Sequence, residues 1–193
     1  MTGQGHDSSA RIPVYILAGG KSRRFGSDKA RAPIEGTPAV VRLADALAGV
    51  AESVTVVADR DGRYSDLGLK TVGDIVPEKG PIGGLLTAVD DNGPDGWVFV
   101  TACDCIGIRP EWIHTLLAER SGAPPGAKAV VFRTEKGFEP LFGVYHGSLR
   151  SVLSTEIDND RLKMQDFLDK IETVAIAPPD GWEDVVNRNR PVD

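Results

Sequence analysis

The chain is poor in cysteine, with two in 193 residues, Cys103 and Cys105, too few and too close together to frame a disulfide-built fold. That excludes a small secreted scaffold and fits a reducing, cytoplasmic setting. No run approaches the ~20 apolar residues that span a bilayer. The polar first eleven residues lack the apolar stretch of a secretion signal, so a soluble protein with a flexible N-terminus over residues 1–11 is expected. Positive charge is not in excess either. The 22 Lys and Arg against 28 Asp and Glu leave −6 at pH 7, which argues against bulk nucleic-acid binding, whose footprint is a basic face. The three histidines, His6, His114 and His146, are scattered singly, and none is assigned a catalytic role. There is no internal repeat and no low-complexity run.

What is present is an ordinary globular composition, 41% hydrophobic and 26% charged, in a chain long enough to form one domain over residues 1–193. Such a chain buries roughly 70% of its unfolded surface, so a core forms without staples. The 22 glycines and 13 prolines are more punctuation than a helical bundle tolerates and suit an α/β protein with many short loops.

Apolar runs at residues 14–17, 54–58 and 97–101 read as buried strands, with a shorter one at 70–72. Between them, Thr37-Pro38 reads as an N-cap and a first-turn proline opening a helix with Val40, Leu43, Ala44 and Leu47 on one face, closed by Gly49. Residues 83–89 and 110–120 are further helices. Later, residues 129–132 and 141–145 read as two strands joined by the polar segment 134–139, pairing as a hairpin at the sheet edge. Helices are expected at 148–157 and 162–170, a last strand at 173–177, and a loop over 187–191. The recurring strand and helix imply a Rossmann-like α/β fold, a mostly parallel twisted sheet with helices on both faces and ligands beyond the carboxyl ends of its strands.

The informative segment follows the first strand: Leu17-Ala18-Gly19-Gly20-Lys21-Ser22-Arg23-Arg24-Phe25-Gly26-Ser27-Asp28-Lys29. Adjacent glycines let the backbone bend and bring N–H groups close to an anion. Residues 21–31 hold five basic side chains and one acid, Asp28, in a chain that is otherwise acidic. Phosphate is the natural guest, although a glycine turn with a solvated basic loop accounts for the same residues. The segment is neither the GxxxxGK[ST] loop nor the GxGxxG fingerprint, so those mechanisms are not invoked. Asp104, after the third strong strand, suits either a turn cap or a hard-metal ligand. Lys29 is either a solvated lysine or a phosphate partner. Cys103 and Cys105 read as small buried thiols, because a lone C-x-C does not make a structural zinc site. Arg161 and Lys163 fit a solvated helix end or a basic wall.

The pattern LAGGKSRRFGSDK, followed by Gly80-Pro81-Ile82-Gly83-Gly84-Leu85 and by Asp104, resembles the nucleotidyltransferase family that includes molybdenum cofactor guanylyltransferases. Glu139-Pro140-Leu141-Phe142, Met164-Gln165-Asp166-Phe167-Leu168 and Asn187-Arg188-Asn189 support it in matching order, so the likeness runs from about Ile12 to Pro191. It implies a fold of the nucleotide-diphospho-sugar transferase type and transfer of GMP from GTP to the terminal phosphate of molybdopterin, with pyrophosphate released. It further implies that Leu17, Ala18, Gly19 and Gly20 contact the nucleotide, that Lys29 and Arg24 serve the phosphates, and that Asp59 and Asp74 lie near the nucleoside. Asp104 would hold Mg²⁺. Asp59 stands where the family often has Asn, and the Gly19 of LAGG follows the family's guanine habit.

The chemistry agrees. A phosphate monoester, with a second pKa near 6, is already largely ionised at pH 7 and needs no strong base. The reaction needs charge neutralisation and in-line positioning. Two departures stand out: Ile106 replaces the family's usual proline two residues after Asp104, and Phe25 replaces a usual methionine. The molybdenum-loaded cofactor is an alternative acceptor, and enzymes that deliver it or receive the product are the expected partners. The rival readings are a cytidylyltransferase or another small-acceptor nucleotidyltransferase of the same fold, and a nucleotide-binding module without catalysis.

Overall fold

Strand β1 (Ile12–Leu17) sets the architecture through its alternation. Val14 and Ile16 enter one hydrophobic cluster, and Tyr15 and Leu17 enter another, because successive side chains of a strand point to opposite faces. A strand apolar at nearly every position must be covered on both sides. The computed structural model, which describes residues 11–19, 28–182 and 186–187, shows that covering.

After β1 come the short strands β2 (Pro33–Ile34) and β3 (Thr37–Pro38), helix α1 (Ala39–Leu47), and strands β4 (Ala51–Ala58) and β5 (Lys70–Gly73). Helix α2 (Pro81–Asn92), strands β6 (Trp97–Ala102) and β7 (Cys105–Ile106), and helix α3 (Pro110–Gly122) follow. The later part holds β8 (Ala129–Thr134), β9 (Gly137–His146), α4 (Arg150–Asp158), α5 (Met164–Lys170), β10 (Thr173–Ile176) and β11 (Val186–Asn187). Seven strands form one sheet in the order β10-β8-β9-β6-β1-β4-β5. Every neighbouring pair is parallel except the two that β9 makes, with β6 and with β8, which are antiparallel.

Helices α1 and α3 cover one face through Val40, Leu43, Leu47, Trp112, Ile113 and Leu116. On the other face α2, α4 and α5 contribute Ile82, Leu85, Leu153, Ile157, Phe167 and Leu168. Each fully buried aliphatic side chain stabilises by roughly 1.5–3 kcal/mol, so these two clusters dominate the favourable side of folding. The expected mostly parallel α/β sheet is what forms.

Several local expectations are corrected. Thr37-Pro38 does not open a helix by capping it: the pair forms β3, antiparallel to β2. The reason is the intervening Glu35-Gly36, both at positive φ (50° and 85°), the geometry of a tight hairpin turn. Pro38 is then the residue before α1, and its side chain offers no capping bond. The β8–β9 hairpin forms, but not at the sheet edge, because β10 pairs with β8 beyond it and β6 flanks β9. Its connection is only Glu135 and Lys136, since β9 begins at Gly137. Asn187, read as the first residue of a loop, pairs instead with Cys105, and Val186 before it with Ile106, as β11 antiparallel to β7. Helix α2 is longer than read and starts at Pro81, where a proline costs no hydrogen bond.

Candidate functional site

Strands β1, β4, β5 and β6 are parallel, so their carboxyl ends share one edge of the sheet. Backbone bonds stitch those ends together: Ala18 N donates to Val57 O (2.9 Å), Cys103 N to Leu17 O (3.1 Å), and Asp74 N to Ala58 O (2.6 Å). The fold therefore brings Leu17, Ala18, Gly19, Asp59, Asp74 and Asp104, scattered over 88 positions in the sequence, onto a single rim. Gly19 is exposed there, and a Cβ at that position would meet nothing within 4 Å. Gly20 and Arg24 lie outside the described residues.

Helix α2 approaches this rim closely. A Cβ on Gly84 would stand 2.9 Å from the Leu17 side chain, so glycine at this position lets the first turn of α2 lie against the end of β1. Asp74 is tied to the same helix, as its Oδ1 accepts from Val76 N and from Thr87 Oγ1, each at 3.0 Å. Thr87 is a site neighbour that sequence reasoning did not single out, since a buried threonine inside an apolar helix carries no local signal. A groove of about 490 Å³ opens beside Asp74, lined by Arg60, Asp61, Gly73, Ile75 and Thr87 among others.

Lys29 opens a single turn of 3-10 helix, residues Lys29–Arg31, whose cap is Asp28. The Asp28 carboxylate accepts from Ala30 N (3.1 Å), Tyr64 Oη (3.1 Å) and Arg63 Nη2 (2.9 Å). Arg63 also pairs with Asp59, which holds that carboxyl below its ordinary value. Burial, with the neighbouring Asp28 charge adding to it, pushes the Tyr64 phenol up. Neither Arg63 nor Tyr64 was anticipated, because their partner is 35 or 36 residues away.

Asp104 occupies the turn between β6 and β7 and is half-buried. The antiparallel register Thr101 to Phe142 runs β9 backwards past this turn, which sets Glu139-Pro140-Leu141 alongside it. Burial raises the flanking thiols, Cys103 to about 12 and Cys105 upward as well, so both are protonated at neutral pH. They are half-buried rather than fully enclosed. Among the described residues no group of three or more His, Cys, Asp or Glu is placed to hold a metal. The described residues thus build no closed protein cage, whereas a hard cation that keeps waters and takes substrate phosphates needs only one or two carboxylates, and Asp104 fits that use.

Arg161 does not stand as a free basic wall: it meets Glu156 through two bonds of 2.9 and 2.7 Å, and Lys170 joins the same carboxylate at 2.6 Å. No described helix is long and apolar enough to cross a membrane.

Residues 14–174 match the family model described as the MobA-like NTP transferase domain. A Bacillus licheniformis protein named as a probable molybdenum cofactor guanylyltransferase is 34% identical over 188 residues, covering 92% of each chain. A protein of the same name from Synechococcus elongatus is 30% identical over 187 residues, 93% of this chain and 94% of its own. Among solved structures, the molybdopterin-guanine dinucleotide biosynthesis protein A of Archaeoglobus fulgidus aligns with a TM-score of 0.70 at 21% identity, over 86% of this chain and 83% of that one, a likeness of fold.

Proposed function

The chain belongs to the MobA-like NTP transferase family, and from that membership we propose that it is a molybdenum cofactor guanylyltransferase, moving GMP from GTP to the terminal phosphate of molybdopterin. The observation that carries the proposal is the shared sheet rim of the glycine-ended strand β1 and Asp104, with the turn that holds Lys29 tied through Arg63 to Asp59 at the end of β4.

In this reading Leu17, Ala18, Gly19 and Gly20 receive the nucleotide, with no Cβ at the two glycines to obstruct it. Asp59 and Asp74 border the nucleoside. Lys29 and Arg24 neutralise the triphosphate. An oxygen of the acceptor phosphate, already ionised, forms a bond to the α-phosphorus of GTP; the bond from that phosphorus to the bridging oxygen breaks, and pyrophosphate leaves with the electron pair. No proton has to be removed from the acceptor at neutral pH, which suits a site without a catalytic histidine motif. Asp104 would hold Mg²⁺, which when bound supplies positive charge to the phosphates. Two free cysteines fit a cytoplasmic setting, where the acceptor, molybdopterin or its molybdenum-loaded form, is handed over by a delivery enzyme and the product is passed on.

The test is pyrophosphate release from GTP, CTP, ATP and UTP, each with Mg²⁺ and molybdopterin. Release with GTP alone, and only when the pterin is present, is the expected outcome. Preference for CTP would make the protein a cytidylyltransferase, and release with none would make it a binding module.

A further inference from the structure

Asp28, Arg63 and Tyr64 have no role in the chemistry above, yet they form a closed polar cluster beside it. We propose that these three are positioning residues that aim Lys29 at the nucleotide phosphates, an inference that rests on the assignment of Lys29 to the triphosphate.

The carboxylate of Asp28 is spent internally. Its Oδ1 accepts from Ala30 N and Tyr64 Oη, and its Oδ2 from Arg63 Nη2 at 2.9 Å and Nε at 3.3 Å. With both oxygens engaged, Asp28 acts on its own backbone rather than on a ligand. The residues after Lys29 are fixed just as firmly. Ala30 is 1% exposed and packed in the core. Arg31 is clamped by both oxygens of Asp66, each at 2.8 Å, and donates to Arg63 O at 2.9 Å. Lys29 therefore sits in a turn whose cap and whose two following residues are anchored by contacts of their own, which restrains its backbone.

The cluster also has a direction. Arg63 reaches from the loop after β4 to Asp28 on one side and to Asp59 on the other. The guanidinium groups of Arg31 and Arg63 lie 5.2 and 5.7 Å from the ring centre of Tyr64, which is wholly buried between the two segments. The turn that presents Lys29 and the loop that carries Asp59 are thus one body. Displacement of a reacting group by about 1 Å costs on the order of 100-fold in rate, so a device that fixes a flexible lysine's backbone has a catalytic consequence out of proportion to its contribution to stability.

A double-mutant cycle decides the matter, with Lys29→Ala, Arg63→Ala and the pair, read both as the GTP dissociation constant by calorimetry and as kcat for pyrophosphate release. We expect Arg63→Ala to weaken GTP about 10-fold and to lower kcat roughly 10- to 100-fold. In the Lys29→Ala background the same change should cost at least about fivefold less, because only its hold on Asp59 remains once there is no ammonium to aim. Losses that multiply in the double variant overturn the proposal and leave a structural cluster. Should Arg63→Ala fail to fold, Tyr64→Phe removes a single hydroxyl and carries the same cycle, with a loss of roughly 2- to 5-fold expected. GTP binding without turnover in the unaltered protein would sink the guanylyltransferase reading while the binding cycle still judges the positioning. Failure to bind GTP at all would overturn both.

Discussion

Two carboxylates in this protein are each gripped by more than one cation, and the difference between them is instructive. Asp28 gathers Arg63 and Arg31, with Tyr64 between them, and its main partners come from a loop 35 and 36 positions away. Glu156, at the end of α4, gathers Arg161 and Lys170 from 5 and 14 positions away. The first cluster joins two segments that both border the ligand rim. The second closes the connection between two consecutive helices, α4 and α5, on the sheet face they share with α2. Similar chemistry thus does different work: an ion pair between distant segments fixes a relative position, and one between near neighbours fixes a local turn.

The comparison breaks most visibly if the rim is attacked directly. Asp104→Asn keeps the size of the side chain and removes its charge, so kcat should fall roughly 100- to 1,000-fold while GTP affinity without metal changes little, because the charge matters most as the transition state forms. Equal losses in binding and turnover would deny Asp104 that role. The Glu156 cluster should answer to acid instead. Its two cations hold the Glu156 carboxyl down from an ordinary 4.5 to about 2. The stabilisation is therefore complete above pH 4.5 and is lost as pH falls toward 2, where the folded protein also takes up the proton. Thermal unfolding of wild type and Glu156→Gln should show a gap in Tm that is constant near neutrality and closes across that window. A gap independent of pH would show that the charge is not what the cations hold. The smallest effect on activity is expected of Arg161→Ala, which should leave kcat and the acceptor KM within about twofold while lowering Tm, as the largely buried Glu156 carboxylate keeps only Lys170. A tenfold rise in the acceptor KM would return Arg161 to the wall of the site.

The legible parts of this fold were those written locally. Strand β1 declares itself because both of its faces are buried and every residue from Val14 to Leu17 is apolar. The proline-first start of α3 is equally plain. The position of β9 was hidden, since nothing in its own sequence says that β10 will cover the strand beyond it. Its first residues, with Glu139 among them, read as loop because polar side chains near a sheet end look like a turn. Thr37 misled for a related reason: the signal that fixes it lies in Glu35-Gly36, whose positive φ angles close a hairpin before the helix can start. At the rim, Leu17, Ala18, Gly19, Asp59, Asp74 and Asp104 were singled out by the family resemblance rather than by their own pattern, and what the fold adds is that they share one edge of the sheet. Arg63 and Tyr64 were not, because an ion pair and a phenol bond across 35 residues exist only once the chain has folded.

The reversed direction of β9 has a consequence for how such a protein can change over generations. Six strands of the large sheet arrive at the rim with their last residues, and β9 alone departs from it. Its connection to β8, Glu135 and Lys136, is therefore a two-residue turn on the same side as Asp104. Lengthening a surface turn costs closure entropy only logarithmically, about 0.6 kcal/mol per doubling, and here it disturbs no crossover. Growth of this one hairpin tip would extend the chain beside the Asp104 turn while leaving β1 and the Lys29 turn untouched, so descendants of this chain can reshape one side of the rim without altering the other.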